Sequence, residues 1–143
     1  MFHPDKCVSI EIGKKSEPNY KYELDAGGDR HKLKWIQSEK DIGVQIDADL
    51  KFAIHISSKV NKANGIIGLI RRSYKFLTEE IFMHLYKGLV RCHFDYAASV
   101  SNPYRKSHIN LIETVQRRAT KLVPTLKDLP YHDRLKKLKL PTC

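Results

Sequence analysis

A helical repeat of apolar residues constrains the fold of this 143-residue chain more than any other feature of its sequence. The repeat has intervals of four, three, four, three and four residues, and its positions are Ile56, Val60, Ala63, Ile67, Ile70 and Tyr74. This spacing places the six side chains on one face of an α-helix. Gly65 and Gly68 each cost that helix up to about 1 kcal/mol relative to alanine, which is tolerable if another element packs closely there.

Three further helices are predicted downstream. Thr78 is a good N-cap for the second helix, because Glu79 and Glu80 then lie where the helix dipole favours negative charge. The predicted buried face of this helix holds Phe82, Leu85, Leu89, His93 and Tyr96. After a break at Asn102-Pro103-Tyr104, Ser107 is expected to cap a third helix that carries Ile109, Ile112, Ala119 and Leu122 and stops at Pro124. A short basic helix from Tyr131 to Leu140 follows.

Short strands are predicted in the first fifty residues, where apolar and polar residues alternate. The alternating trios are Val8, Ile10 and Ile12, then Tyr20, Tyr22 and Leu24, then Ile42, Val44 and Ile46. A turn is expected at residues 25–29 because of Gly27 and Gly28. The predicted fold class is therefore α+β, with a small antiparallel sheet of about three strands (1–49) followed by a bundle of about four helices (50–143).

Charge is distributed unevenly along the chain. Residues 1–50 carry a net charge of −2, whereas residues 51–143 hold 18 Lys and Arg against six Asp and Glu, a net charge of +12. Such a surplus favours polyanionic partners, because each neutralised phosphate releases counterions. The alternative is a basic helical protein whose charge is merely solvated. The candidate phosphate contacts are Lys59, Lys62, Arg71, Arg72, Lys75, Arg117, Arg118 and Lys121.

No pattern typical of catalysis, of a metal site or of a phosphate-binding loop is present. The cysteines Cys7, Cys92 and Cys143 form no close pair and are predicted to be free thiols, so a zinc site is not expected. Asp47 and Asp49 could be half of a carboxylate metal site, but a turn or cap role is favoured after a strand. Catalytic residues, metals and cofactors are therefore expected to be absent. No apolar run is long enough to span a bilayer, and no membrane partner is expected.

A series of phrases in the chain resembles one protein family when the phrases are taken in order. The phrases are Phe2-x-x-Asp5-Lys6-Cys7, Glu39-Lys40-Asp41-Ile42-Gly43-Val44, Leu50-Lys51-Phe52, His55-Ile56, Lys62-Ala63-Asn64, Gly68-Leu69-Ile70-Arg71-Arg72, Leu85-Tyr86-Lys87-Gly88-Leu89-Val90-Arg91, Asp95-Tyr96-Ala97, Ile112-Glu113-Thr114-Val115-Gln116-Arg117-Arg118-Ala119-Thr120-Lys121 and Leu135-x-x-Leu138-x-Leu140-Pro141-Thr142. Their order and spacing are similar to the region just after the polymerase core of non-LTR (LINE-type, jockey/CR1-like) retrotransposon reverse transcriptases. The similarity covers almost the whole chain.

The resemblance implies that catalysis and duplex binding belong to different parts of the family's polymerase. In the family, the two metal-binding aspartates precede the phrase that begins here at Phe2, so they would lie upstream of Met1. The part that remains resembles the last palm strands, the primer-grip hairpin around residues 42–46 and the helical thumb, which together hold the template–primer duplex. Two departures from the family pattern are Ser101, where tryptophan is usual, and Cys92, where proline is common.

The sequence thus predicts a transposable-element fragment that is not an enzyme by itself, with residual non-specific binding to the RNA or DNA backbone. Self-association through an exposed sheet edge and an intracellular location, nuclear or cytoplasmic, are further expectations. Two alternatives stay open. One is a helical protein-interaction module without a nucleic-acid role, and the other is a piece of a longer active RNA-directed DNA polymerase whose Asp-Asp motif lies upstream.

Overall fold

The computed structural model describes residue 3 and residues 6–13, 16–96 and 105–141. It comprises two compact units, Met1–His55 and Ile56–Cys143. The first unit holds the strands and the second holds most of the helical structure, so the α+β class is confirmed. Ser101, Cys143 and the predicted break at Asn102-Pro103-Tyr104 lie outside the described residues.

The first unit contains six short strands in three pairs. They are β1 (Val8–Ser9), β2 (Glu23–Ala26), β3 (Asp29–Lys32), β4 (Lys34–Trp35), β5 (Ser38–Asp41) and β6 (Val44–Asp47). β1 and β4 are parallel, whereas β2–β3 and β5–β6 are antiparallel hairpins. The prediction of one three-stranded antiparallel sheet is therefore wrong. The chain after β1 and the chain after β6 are linked by the hydrogen bond that Gly13 N–H donates to the Ala48 carbonyl at 2.8 Å.

The two hairpins turn at residue pairs with positive φ. Gly27 and Gly28 have φ of 78° and 104°, as the turn prediction for residues 25–29 requires. The second hairpin turns at Ile42 and Gly43, with φ of 44° and 76°. Positive φ at both central residues is typical of a type I′ turn, whose twist matches that of the strands. Ile42 was predicted to lie within a strand. Alternation identified its strand but could not locate the turn.

The second unit is built on α1 (Ala53–Ser73), whose first three residues belong to the first unit. Five of the six residues of the predicted seam are buried, and only Tyr74, just beyond the helix end, is exposed. The seam prediction is confirmed. Close packing, the condition under which Gly65 and Gly68 would be tolerable, is not found, because a Cβ at either position would meet no atom within 4 Å among the described residues.

The second helix consists of three consecutive segments: α2 (Glu79–Leu85), a π-helical turn (Tyr86–Arg91) and α3 (Cys92–Asp95). Thr78 caps it as predicted, since its hydroxyl accepts a hydrogen bond from Ile81 N–H at 3.4 Å. The buried side chains are Phe82, Tyr86 and Val90, which are four residues apart. The predicted face is therefore only partly right. The π-helical turn has more residues per turn than an α-helix, so side chains at i and i+4 line up along it.

Two more helices complete this unit: α4 (Lys106–Thr120) and α5 (Tyr131–Leu138), with a 3₁₀ turn at Pro124–Leu126 between them. The prediction that Ser107 caps α4 is wrong, because the cap residue is Arg105 and no side chain closes this end. α4 also ends at Thr120, before Pro124. The core of the unit contains Ile56, Val60, Ala63, Ile67, Ile70, Leu77, Phe82, Tyr86, Val90, Val115, Ala119, Val123, Leu126, Leu135, Leu138 and Leu140.

Candidate nucleic-acid interface

Lys59 and Lys62 lie on α1, one helical turn apart. The Lys59 side chain is half-buried, and its Nζ lies 4.8 Å from the centroid of the Tyr96 ring. That contact is a cation–π interaction, which holds the amine in place without neutralising its charge. Lys62 is exposed to solvent. The helix therefore carries one positive charge against an aromatic ring, that of Lys59, beside one exposed positive charge, that of Lys62.

Arg118 connects α4 to the same part of α1. Its Nη1 donates a hydrogen bond to Oδ1 of Asn64 at 3.4 Å, and Asn64 is two residues beyond Lys62. At this length the bond is weak, but it fixes which stretch of α1 the guanidinium faces. An amide acceptor leaves the charge of Arg118 uncompensated. Asn64 and Lys62 are two residues apart and therefore point to different faces of α1, so this bond joins α4 to α1 without placing Arg118 beside Lys62.

His93 belongs with the two lysines, although it was predicted only as a buried residue of the second helix. Its pKa lies below the ordinary value, first because partial burial disfavours the imidazolium and then because Lys59 and Lys62 repel it. The imidazole is therefore kept neutral by the same charges that would attract an anion. We call Lys59, Lys62 and His93 the basic cluster.

The acidic residues are remote from α1 in sequence. No Asp or Glu occurs between Leu50 and Thr78, so the whole of α1 and the loop that follows it are free of negative charge. The nearest acidic residue before this stretch, Asp49, pairs with Lys51. Because this stretch of chain carries only positive charges, we expect it to attract polyanions over a distance set by ionic strength.

Arg71, Arg72 and Lys75 are all exposed, but the structure does not bring them to the basic cluster. Nine residues of helix separate Lys62 from Arg71, a rise of about 14 Å. The two arginines lie in the last turn of α1, where the helix dipole favours positive charge. They form a second basic surface at the end of the same helix.

Arg117 faces away from the basic cluster and towards α5. Its guanidinium carbon lies 4.8 Å from the ring centroid of Tyr131. Oε1 of Glu113, one turn before Arg117 on α4, accepts a hydrogen bond from the Tyr131 hydroxyl at 2.5 Å. Arg117 is exposed, as is Lys121 at the end of α4, so both stay accessible to a phosphate.

Arg134 is a residue whose role the sequence analysis missed. It is only 3% exposed, its Nη1 donates to the Arg117 carbonyl at 3.4 Å, and its guanidinium carbon lies 5.5 Å from the Tyr131 ring centroid. Burial lowers its pKa, and the nearby charge of Arg117 acts in the same direction. The signal was its helical spacing from Tyr131 and Leu138, which places it on the apolar face of α5.

The described residues contain no group of three or more His, Cys, Asp and Glu that could hold a metal ion. Oδ1 of Asp47 accepts hydrogen bonds from Lys51 N–H at 2.8 Å and Phe52 N–H at 3.4 Å, so Asp47 acts in the turn before α1. Cys7 and Cys92 are free thiols, as predicted. Within the described ranges, no helix is long and apolar enough to cross a membrane.

Comparison with family models, curated proteins and solved structures finds no match for the chain.

Proposed function

We propose that this chain binds the phosphate backbone of RNA or DNA without sequence preference and catalyses no reaction by itself. The observation that carries the proposal is the basic cluster, in which Lys59 and Lys62 lie one helical turn apart on α1 beside His93 of the second helix. The sequence of α1 contains no Asp or Glu. Lysine and arginine held on rigid helices contact phosphates, and such contacts carry no base specificity.

The resemblance to the region after the polymerase core of non-LTR reverse transcriptases supports a more specific form of this proposal. The chain then corresponds to the part that holds the template–primer duplex, with its α1 surface against the backbone. In a longer polymerase with an upstream Asp-Asp motif, the same residues would position the duplex for synthesis. The binding chemistry proposed for the basic cluster is the same in both cases.

A salt titration tests the proposal. Fluorescence anisotropy measures binding to two labelled duplexes of unrelated sequence, one RNA–DNA and one DNA, from about 50 mM to about 200 mM salt. We expect similar affinities for the two sequences and a linear fall of log K with log salt. Absence of binding at low salt would refute the proposal, and so would an affinity that does not respond to salt.

An alternative is a protein-interaction module, favoured by large apolar side chains that the second unit exposes. These are Leu69, Phe76, Ile81, Leu89 and Leu111. A protein that ignores nucleic acid but forms a concentration-dependent complex through these residues would support this alternative. Sedimentation analysis in parallel with the salt titration separates the two functions.

A further inference from the structure

Six consecutive residues at the end of α1, Arg71–Phe76, are all exposed. Three of them are basic and two are aromatic. Of the two aromatic side chains, Phe76 is 88% exposed and Tyr74 is 43% exposed. We call this stretch the aromatic–basic segment. An exposed phenyl ring forgoes the stabilisation that its burial would give, so folding does not explain its position.

The segment is held in place on both sides. Ile70 before it is 3% exposed and Leu77 after it is 6% exposed, so buried side chains fix each end. Tyr74 N–H donates to the Ile70 carbonyl at 3.0 Å, and Thr78 then caps α2. Phe76 is therefore presented from a short, anchored connection, and little ordering entropy would be lost when a ligand stacks on it.

The charges of the segment define the partner. Arg71, Arg72 and Lys75 are exposed, and the nearest acidic residue in sequence, Glu79, accepts a hydrogen bond from the Thr125 hydroxyl at 3.1 Å. A ligand that fits must combine negative charges with flat apolar faces at short intervals. Unpaired nucleotides have this alternation, whereas the bases of a duplex are stacked on one another and offer only phosphates.

We propose that the aromatic–basic segment is a stacking site for unpaired bases of single-stranded RNA or DNA. Phe76 and Tyr74 supply the ring faces, and Arg71, Arg72 and Lys75 contact the flanking phosphates. This inference rests on the proposed function, because it specifies that part of the bound nucleic acid is single-stranded. It adds that the chain engages a single strand next to a duplex, with the duplex on the basic cluster.

The test compares a labelled oligo(U) strand of about 15 nucleotides with a blunt hairpin duplex of similar phosphate count. Phe76→Ala is expected to lower affinity for the strand at least about fivefold, because base–aromatic stacking is lost. Its effect on the duplex should stay below about twofold. Phe76→Trp keeps a ring and should retain strand affinity. Leu69→Ala is the matched control, since Leu69 is 54% exposed on α1 just before the segment and cannot stack.

The possible outcomes separate the two proposals. If neither strand nor duplex binds, the proposed function fails. If both bind and Phe76→Ala leaves strand affinity unchanged, or weakens strand and duplex equally, only the stacking site is refuted. Vesicles of phosphatidylcholine and phosphatidylserine test whether the segment binds a membrane surface instead of a nucleic-acid strand. Vesicle binding that depends on Phe76, without a strand-specific loss, would also overturn the inference. Unchanged melting of Phe76→Ala excludes misfolding as the cause.

Discussion

The hydroxyl of Tyr86 donates a hydrogen bond to Oε1 of Gln116 at 2.9 Å, inside the core of the second unit. Nε2 of Gln116 in turn donates to the Pro141 carbonyl at 2.8 Å. The two bonds connect the π-helical turn, α4 and the end of the described chain. Gln116 lies two residues before Arg118, so the network also fixes the helix that carries this arginine.

Tyr86→Phe is expected to lower the free energy of unfolding by about 1 to 2 kcal/mol, because it removes one buried hydrogen bond while keeping the ring. Urea unfolding followed by circular dichroism measures the change. Tyr74→Phe removes a hydroxyl from an exposed tyrosine and should change stability by less than about 0.5 kcal/mol. Equal stability of Tyr86→Phe and the parent would show that the network contributes nothing.

Gly65→Ala and Gly68→Ala are expected to stabilise the protein by about 0.5 to 1 kcal/mol each, since alanine lowers the entropy of the unfolded chain. The structure leaves open space for the added Cβ at both positions. Thermal unfolding of the two single variants measures the effect. A destabilised variant would mean that another element does pack against this surface of α1.

Ile42→Asn is expected to stabilise the β5–β6 hairpin. Ile42 has a φ of 44° and is 82% exposed, so its branched side chain is strained at a positive φ without being buried in return. Asn-Gly is the favoured pair for a type I′ turn, and the gain should be about 1 kcal/mol. Chemical unfolding of the first unit, followed by Trp35 fluorescence, measures it. Ile42→Val retains the β-branch and should give no gain.

The helices were more predictable than the strands for a physical reason. The α1 seam depends on residues three and four apart, and burial of Ile56, Val60 and Ala63 follows from that local spacing. The strand pairs depend on which segments meet, and alternation does not encode the parallel pairing of Val8 with Lys34. The π-helical turn was not predicted either, because nothing in the local sequence pattern indicated that Tyr86 rather than Leu89 is buried.

The candidate site shows the same division. Sequence identified Lys59 and Lys62 as basic helix residues, but their position beside the second helix depends on tertiary packing that spacing cannot reveal. His93 was assigned to an apolar face because its helical spacing matched Leu89, and its nearness to the two lysines required the fold. Arg134 belongs to a helix that was predicted only as basic, yet it is buried beside Tyr131.

The free energy of unfolding should decrease as the pH falls, in part because of His93. Its pKa in the folded protein is below the ordinary value of 6.5, because burial and the two lysines disfavour the charged form. As the pH drops below about 6.5, His93 is therefore protonated in the unfolded chain before it is protonated in the folded protein. The free energy of unfolding decreases until the pH reaches the lower pKa that His93 has in the folded protein. Above that range both states are neutral and His93 has no effect.

His93→Gln tests this assignment, since glutamine keeps polarity but does not titrate. Urea unfolding at about pH 7.5 and about pH 5.5 should show a smaller loss of stability for the variant than for the parent. All other histidines are common to both proteins, so the difference isolates His93. An identical loss in parent and variant would contradict the assignment.

The salt dependence of duplex binding in two charge-matched double variants tests the central claim most directly. Lys59→Gln/Lys62→Gln removes the two lysines of the basic cluster, and Lys136→Gln/Lys137→Gln removes the same charge from exposed positions on α5. If the cluster contacts phosphates, the first variant should bind more weakly, and its slope of log K against log salt should fall by about 1.8. The second variant should keep the slope of the parent. Equal slopes for the two variants would mean that net charge, rather than the basic cluster, attracts the nucleic acid, and would contradict the account.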